Sequence, residues 1–165
     1  MCAKLLILES PGKVKKVQSF LGPDWKVVAS VGHVRDLPVK EMGVAAPDFK
    51  PHYQPTERGA DVLKRLGALA KQADVVYLAT DPDREGEAIA WHVADALKLK
   101  DAKRVTYGEI TESAVKAAVQ SPRAIDMALV AAQEGRRVLD RFCGYLVSGP
   151  LSRAVGTRLS AGRVQ

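Results

Sequence analysis

Cysteine is nearly absent: Cys2 and Cys143 are the only two in 165 residues. A pair so far apart cannot build a zinc site alone, and it points to a reduced cytosolic protein rather than a disulfide framework. No apolar run approaches membrane-spanning length. The start, Met1 to Glu9, lacks the long apolar core of a signal peptide and reads as a first strand. Internal repeats and low-complexity tracts are missing as well. A phosphate-binding loop is suggested at Ser10-Pro11-Gly12-Lys13 but not completed. That motif needs an earlier glycine and a Ser or Thr after the lysine, and here Val14 follows. Binding of a nucleoside triphosphate is therefore not expected.

What is present suits one main domain with a short appendage. Hydrophobic residues make up 47% and charged residues 27%, enough apolar surface for a core. The net charge of +6 favours an anionic partner. Residues 1–40 carry seven Lys/Arg against three Asp/Glu, and residues 41–122 eleven against thirteen. Residues 123–165 carry seven arginines, no lysine and three acids. Two basic flanks thus surround an acidic centre. The arginine bias suits phosphate and base recognition, because a guanidinium is planar and forked.

Apolar runs at Lys4–Glu9, Trp25–Ser30, Val75–Ala79 and Val105–Tyr107 read as strands. Between them, helical spacing is predicted after Ser10, which would cap with Pro11 as first residue. Helices are also predicted around Val62–Ala70, over Glu85–Leu97 and over Thr111–Gln120. Gly32 to about Pro55 is proline-rich and reads mostly as loop. The alternation gives an α/β fold with a mostly parallel sheet covered on both faces. After Pro122 one long helix is predicted over Ile125–Val147. Residues 1–122 therefore form the expected main domain. Residues 123–165 read as the truncated start of a helical one.

Residues 81–87 read Asp-Pro-Asp-Arg-Glu-Gly-Glu, directly after the strand at Val75–Ala79. Four carboxylates in seven residues are costly unless a cation neutralises them, and Mg²⁺ takes oxygen ligands. In parallel sheets ligands gather beyond the carboxyl ends of strands. Glu9 ends the first strand, so Glu9, Asp81, Asp83 and Glu85 are expected to converge. The bland alternative is a helix start decorated with acids. It accounts for Glu85 and Glu87, but not for Glu9 or the Asp-x-Asp pair. Lys13, on the first turn of a helix, is either a phosphate contact or a solvated surface lysine. His33 and Arg35 lie in a loop after a strand. On the long helix, Arg137 and Arg141 are i, i+4 neighbours, as are Arg136 and Asp140. Side-by-side arginines suit a phosphate track, although Arg136–Asp140 could be an ordinary surface pair.

Five segments together resemble the amino-terminal part of the bacterial type IA DNA topoisomerase I family. They are residues 8–13, 32–38 and 78–92, then Gln133 with Arg136-Arg137-x-x-Asp140-Arg141, and finally Leu-Ser-Ala-Gly-Arg-Val-Gln at 159–165. The resemblance implies a Toprim, Rossmann-like fold: a four-stranded sheet between helices, plus a helical C-terminal appendage. It implies Mg²⁺ on Asp81 and Asp83 with Glu9 close by. Glu9 would be proton donor to the departing 3′-oxygen, with Lys13 near the scissile phosphate and Glu85 acting by electrostatics. DNA contacts are implied for His33, Arg136, Arg137, Asp140, Arg141 and Arg153, and along Ser160, Gly162, Arg163 and Gln165. No DNA contact carries over onto residues 39–60. The implied activity is ATP-independent relaxation of negatively supercoiled DNA, through transient single-strand cleavage and a 5′-phosphotyrosine. Implied partners are single-stranded DNA and the remaining topoisomerase domains, in a cytoplasmic, nucleoid-associated protein. The nucleophilic tyrosine is expected elsewhere, because Tyr53, Tyr77, Tyr107 and Tyr145 lack its sequence context. These residues alone should bind Mg²⁺ and single-stranded DNA without cleaving. Two other classes compete: a stand-alone Toprim nuclease or primase core, and a non-catalytic DNA-binding module with structural acids.

Overall fold

A computed structural model describes residues 4–162. Strand β1 (Lys4–Leu8) is followed by a 3₁₀ turn at Pro11–Lys13, helix α1 (Val14–Leu21) and β2 (Trp25–Ala29). A two-stranded ribbon of β3 (Arg35–Asp36) and β4 (Gln54–Pro55) comes next. Then follow α2 (Glu57–Ala70), β5 (Val75–Ala79), α3 (Arg84–Ala96), β6 (Lys103–Arg104) and α4 (Glu112–Gln120). The chain ends in α5 (Met127–Phe142), a π-helical turn at Cys143–Val147, and α6 (Ser148–Val155).

The main sheet is wholly parallel, in the order β2-β1-β5-β6. Side chains of a strand alternate between faces, so β1 feeds two cores at once. Leu5 and Ile7 join Val76, Leu78, Leu66, Ala90 and Val93 under α2 and α3. Leu6 and Leu8 join Val27, Ala79, Val17 and Val115 under α1 and α4. Each buried aliphatic side chain contributes roughly 1.5–3 kcal/mol. A strand covered on both sides needs an unbroken apolar run, as Leu5–Leu8 supplies.

Thr56, Thr111 and Asp126 cap α2, α4 and α5 with side-chain oxygens. Ser10, the expected cap, makes no such bond, and the chain enters α1 through the 3₁₀ turn. Two other expectations need correcting. The fourth strand is Lys103–Arg104, not Val105–Tyr107. Val105 donates its amide to Leu78, but the chain then departs and Arg104 bridges back to Arg123 through two backbone hydrogen bonds. The last helical stretch is not one α-helix ending at Val147. It widens into a π turn and runs on to Val155, with Pro150 in the first turn of α6, where a missing amide is harmless. Among the described residues, no helix is long and apolar enough to cross a membrane.

Candidate active site

Leu8 is in register with Ala29 on one side and Ala79 on the other. Because β2 lies to one side of β1 and β5 to the other, the strand order reverses between β1 and β5. Ligands of open parallel sheets settle at such a reversal, beyond the carboxyl ends. Glu9 and Asp81 emerge there. Burial raises the Glu9 carboxyl above its ordinary value, and the negative charges of Asp81 and Asp83 add to this. Lys13 and a backbone hydrogen bond from Asp81 offset part of it. The Glu9 carbonyl accepts from Val31 and Gly32, so the β2–β3 loop is pinned to the same point.

The four carboxylates after β5 have separate partners. Asp81 Oδ1 takes Lys13 Nζ at 2.6 Å. Asp83 caps α3, accepting the Gly86 amide at 2.7 Å. Glu85 turns to His33, with 2.9 Å between Oε1 and Nε2. Glu87 is fully buried. The expected convergence is therefore only partly met. Glu9, Asp81 and Asp83 feel one another's charge, but Glu85 leaves the group. Among the described residues, no three His, Cys, Asp or Glu side chains are gathered as a metal cage. The physical reason is that Lys13 and the α3 amide already satisfy the two aspartates. Asp81, Pro82 and Lys13 line a small cleft with Tyr107. The Tyr107 hydroxyl is buried without a hydrogen-bond partner, and burial pushes it up to about 12.

On the other flank, α5 packs against α3 and a polar cleft opens between them, lined by His33, Glu85, His92, Gln133 and Arg136. Arg137 grips Asp36 with two bonds, at 2.9 and 2.6 Å. Burial would raise Asp36, but Arg137 outweighs it and holds the carboxyl below its usual range. Asp140 lines the same cleft. Arg141 donates to the Pro38 carbonyl at 2.7 Å and stacks on Tyr145. The arginines read as a phosphate track are thus partly engaged with the β3 region. Arg153 lies exposed on α6, with Ser160 and Gly162 exposed beyond it. Arg163 and Gln165 fall outside the described residues.

Several residues left without a specific role at the level of sequence are prominent here. Arg35 lies against the rings of Tyr53 and Trp91, pairs with Asp95 at 2.7 Å and reaches His92 Nδ1 at 3.1 Å. Burial and the nearby Arg35 charge push His92 down to about 4, so the imidazole is neutral and Nδ1 is the acceptor. More consequential is Glu87, whose Oε2 accepts Arg104 Nε at 2.9 Å. Its carboxylate also accepts two bonds from Arg123 and the Asp126 amide. Glu87 and Arg104 are both fully buried. A signal existed in the sequence. Glu87 shares a helical face with Ala90 and Ala94, and a charge on an apolar stripe demands a buried partner.

A sequence family described as the Toprim domain matches residues 4–112. The chain belongs to the Toprim family. Over 162 residues it is 66% identical to the plasmid DNA topoisomerase I of Xylella fastidiosa, covering 98% of this chain and 24% of that protein. It also superposes on the full-length topoisomerase I of Thermotoga maritima with a TM-score of 0.86 and 42% identity. That match covers 97% of this chain and 28% of the other. The chain therefore spans about a quarter of the length of these relatives. The parallel four-stranded sheet between helices is the expected Toprim fold. The donor set of this Toprim domain, carboxylate oxygens whose mutual charge adds to the burial that raises Glu9, fits a hard divalent ion. It fits Mg²⁺ held by one or two carboxylates and waters better than a closed cage.

Proposed function

We propose that this Toprim domain is the acid- and metal-bearing part of a type IA DNA topoisomerase. Such an enzyme opens one strand through a tyrosine and reseals it. The reading is carried by one observation: a half-buried carboxyl with raised proton affinity, Glu9, stands beside Asp81 and Lys13 where the strand order reverses. A carboxyl that keeps its proton nearer neutral pH can donate it to a departing sugar 3′-oxygen and recover it on resealing. Lys13 can swing from Asp81 to a phosphate, since both are anionic partners for its ammonium. Asp81 and Asp83, with Glu9 nearby, would hold Mg²⁺. When bound, that ion supplies charge neutralisation at the phosphate and alignment of the 3′-oxygen.

His33 and the arginines of α5 would track the strand's phosphates, with Arg137 and Arg141 exchanging protein acceptors for nucleic acid. Two of the four tyrosines of this chain, Tyr53 and Tyr107, are poorly suited as nucleophiles because they resist losing the phenolic proton. Tyr107 is pushed up to about 12, and Tyr53 is pushed well above its ordinary value by burial and the Glu134 charge. None of the four has the sequence context of the family's nucleophile, so this reading assigns the bond-breaking tyrosine to the remaining topoisomerase domains.

The test combines binding and relaxation. The 165 residues should bind single-stranded DNA with affinity falling steeply between about 50 and 200 mM salt, as phosphate contacts release counterions. Asp81→Asn should weaken Mg²⁺ binding. Supercoiled plasmid should stay supercoiled with this chain alone. Relaxation by the chain alone, or Mg²⁺ binding indifferent to Asp81, would overturn the reading.

A further inference from the structure

One ion pair, Arg104 with Glu87, lies wholly inside the protein and reaches to the candidate site. Arg104, on edge strand β6, has no exposed side-chain surface. Its Nε is held by Glu87, and its terminal nitrogens reach back across β5. They donate to the carbonyls of Leu78 at 3.1 Å, Thr80 at 2.8 Å and Asp81 at 2.8 Å, and to Val105 at 2.7 Å. The Thr80 carbonyl and the Asp81 amide are the two ends of one planar peptide group. Fixing the carbonyl fixes the direction of the N–H, and that N–H bonds to Glu9. The following carbonyl is gripped as well, so both peptide groups flanking Asp81 are set by one guanidinium.

Nearby packing closes the remaining freedom. A Cβ on Gly86 would sit 2.1 Å from the Asp81 carbonyl oxygen, so only glycine lets the first turn of α3 lie against it. The Thr80 hydroxyl donates to the Gly86 carbonyl. A charged donor also polarises the amide opposite it more than a neutral one would.

We infer that Arg104 is a positioning residue for the candidate active site. Locked by Glu87 from inside the core, it sets the Thr80–Asp81 peptide, and so aims both the Asp81 carboxylate and the amide that faces Glu9. Through Arg123 and the Asp126 amide, the same Glu87 ties this setting to the start of α5. The inference rests on the reading that Glu9 and Asp81 handle metal and phosphate.

The test follows the Asp81 amide resonance of ¹⁵N-labelled protein, with a Mg²⁺ titration of the same samples. Arg104→Lys and Glu87→Gln should shift that resonance and weaken Mg²⁺ binding by about ten-fold, the lower range for loss of a partner behind a metal ligand. Leu66→Ala, a core truncation beneath α2, should lower the melting temperature but leave both readouts unchanged. An unmoved Asp81 resonance with wild-type Mg²⁺ affinity in folded Arg104→Lys would overturn the inference. Should the buried variants fail to fold, Arg123→Gln removes two of the Glu87 bonds from a partly exposed side chain and carries the same test, with a shift expected and none overturning it. Asp81→Asn and Glu9→Gln separate the two levels. If neither alters Mg²⁺ affinity, the metal reading falls, while the Asp81 resonance still decides the positioning role.

Discussion

The start of α3 holds four carboxylates on two sides of one turn, and the two sides behave differently. Glu87 points inward, where fixed donors from Arg104, Arg123 and Asp126 occupy its oxygens. Asp81, Asp83 and Glu85 point outward, each with one ionic or capping partner, and the two ionic partners, Lys13 and His33, are partly in solvent. Burial alone would raise both Glu87 and Glu9. Arg123, the Asp126 amide and Arg104 reverse the effect at Glu87 and hold it below its usual range. At Glu9 the Lys13 charge offsets only part of the effect, and the raised value survives. The inner side holds the outer side in position, and its Glu87–Arg104 pair offers a ligand no exposed side-chain surface. The outer side has exchangeable partners, which is what a site must have to take up a metal or a phosphate.

Breaking the inner side should cost the most. Glu87→Ala leaves the Arg104 guanidinium buried and unpaired, and removing one partner of a buried pair costs roughly 3–5 kcal/mol. Urea denaturation should show that loss. A cost under about 1 kcal/mol would mean that water or another acceptor reaches Arg104, and the contrast between the sides would vanish.

Next in size is an acid-sensitive step on the α3–β3 flank. His92 unfolds to a group titrating at its ordinary 6.5 but is held at about 4 in the folded chain. The unfolded state therefore binds more protons between these values. Stability from this residue is complete above pH 6.5 and is lost as pH falls towards 4, about 3 kcal/mol in all. His92→Gln should flatten that limb of a stability profile. A profile of unchanged slope would show that His92 keeps its proton uptake in the folded protein.

On the outer side a smaller effect is expected. Asp83→Ala deletes the α3 cap, worth about 1 kcal/mol. It should also weaken Mg²⁺ binding beyond what that loss of stability explains. A titration unchanged by Asp83→Ala would leave Asp83 a cap only, and Asp81 with Glu9 as the site.

The outer side was the legible one. Apolar runs bounded by turn residues placed β1, β2 and β5, and the rule for parallel sheets then brought Glu9 towards Asp81. The inner side was not legible, because its logic is pairwise. Arg104 reads as an edge charge until Glu87, seventeen residues earlier, is known to lie within 2.9 Å. The same blindness misplaced β6 on Val105–Tyr107: an apolar triplet looks like a strand, whereas the ladder forms at Lys103–Arg104 because Arg104 is buried by its partners. The Asp36–Arg137 grip spans a sequence separation of 101 residues, beyond the reach of any local pattern.

The smallest effect tests whether the outer edge carries backbone strain. Val31, half-exposed and two residues beyond the end of β2, adopts a φ of 61°, a region that β-branched residues avoid. It does so while its amide and that of Gly32 converge on the Glu9 carbonyl. Val31→Gly should relieve roughly 1–2 kcal/mol of steric cost. The extra freedom of glycine in the unfolded chain returns about 0.5–1 kcal/mol of this, so the net gain should be about 0.5–1 kcal/mol. That sign is opposite to every substitution on the inner side, where each change removes a satisfied bond. A net loss for Val31→Gly would mean that the valine side chain supports the Glu9 loop. The outer edge would then be bound into the fold as firmly as Glu87 is, and its freedom to receive a ligand would have to come from Lys13 and Asp81 alone.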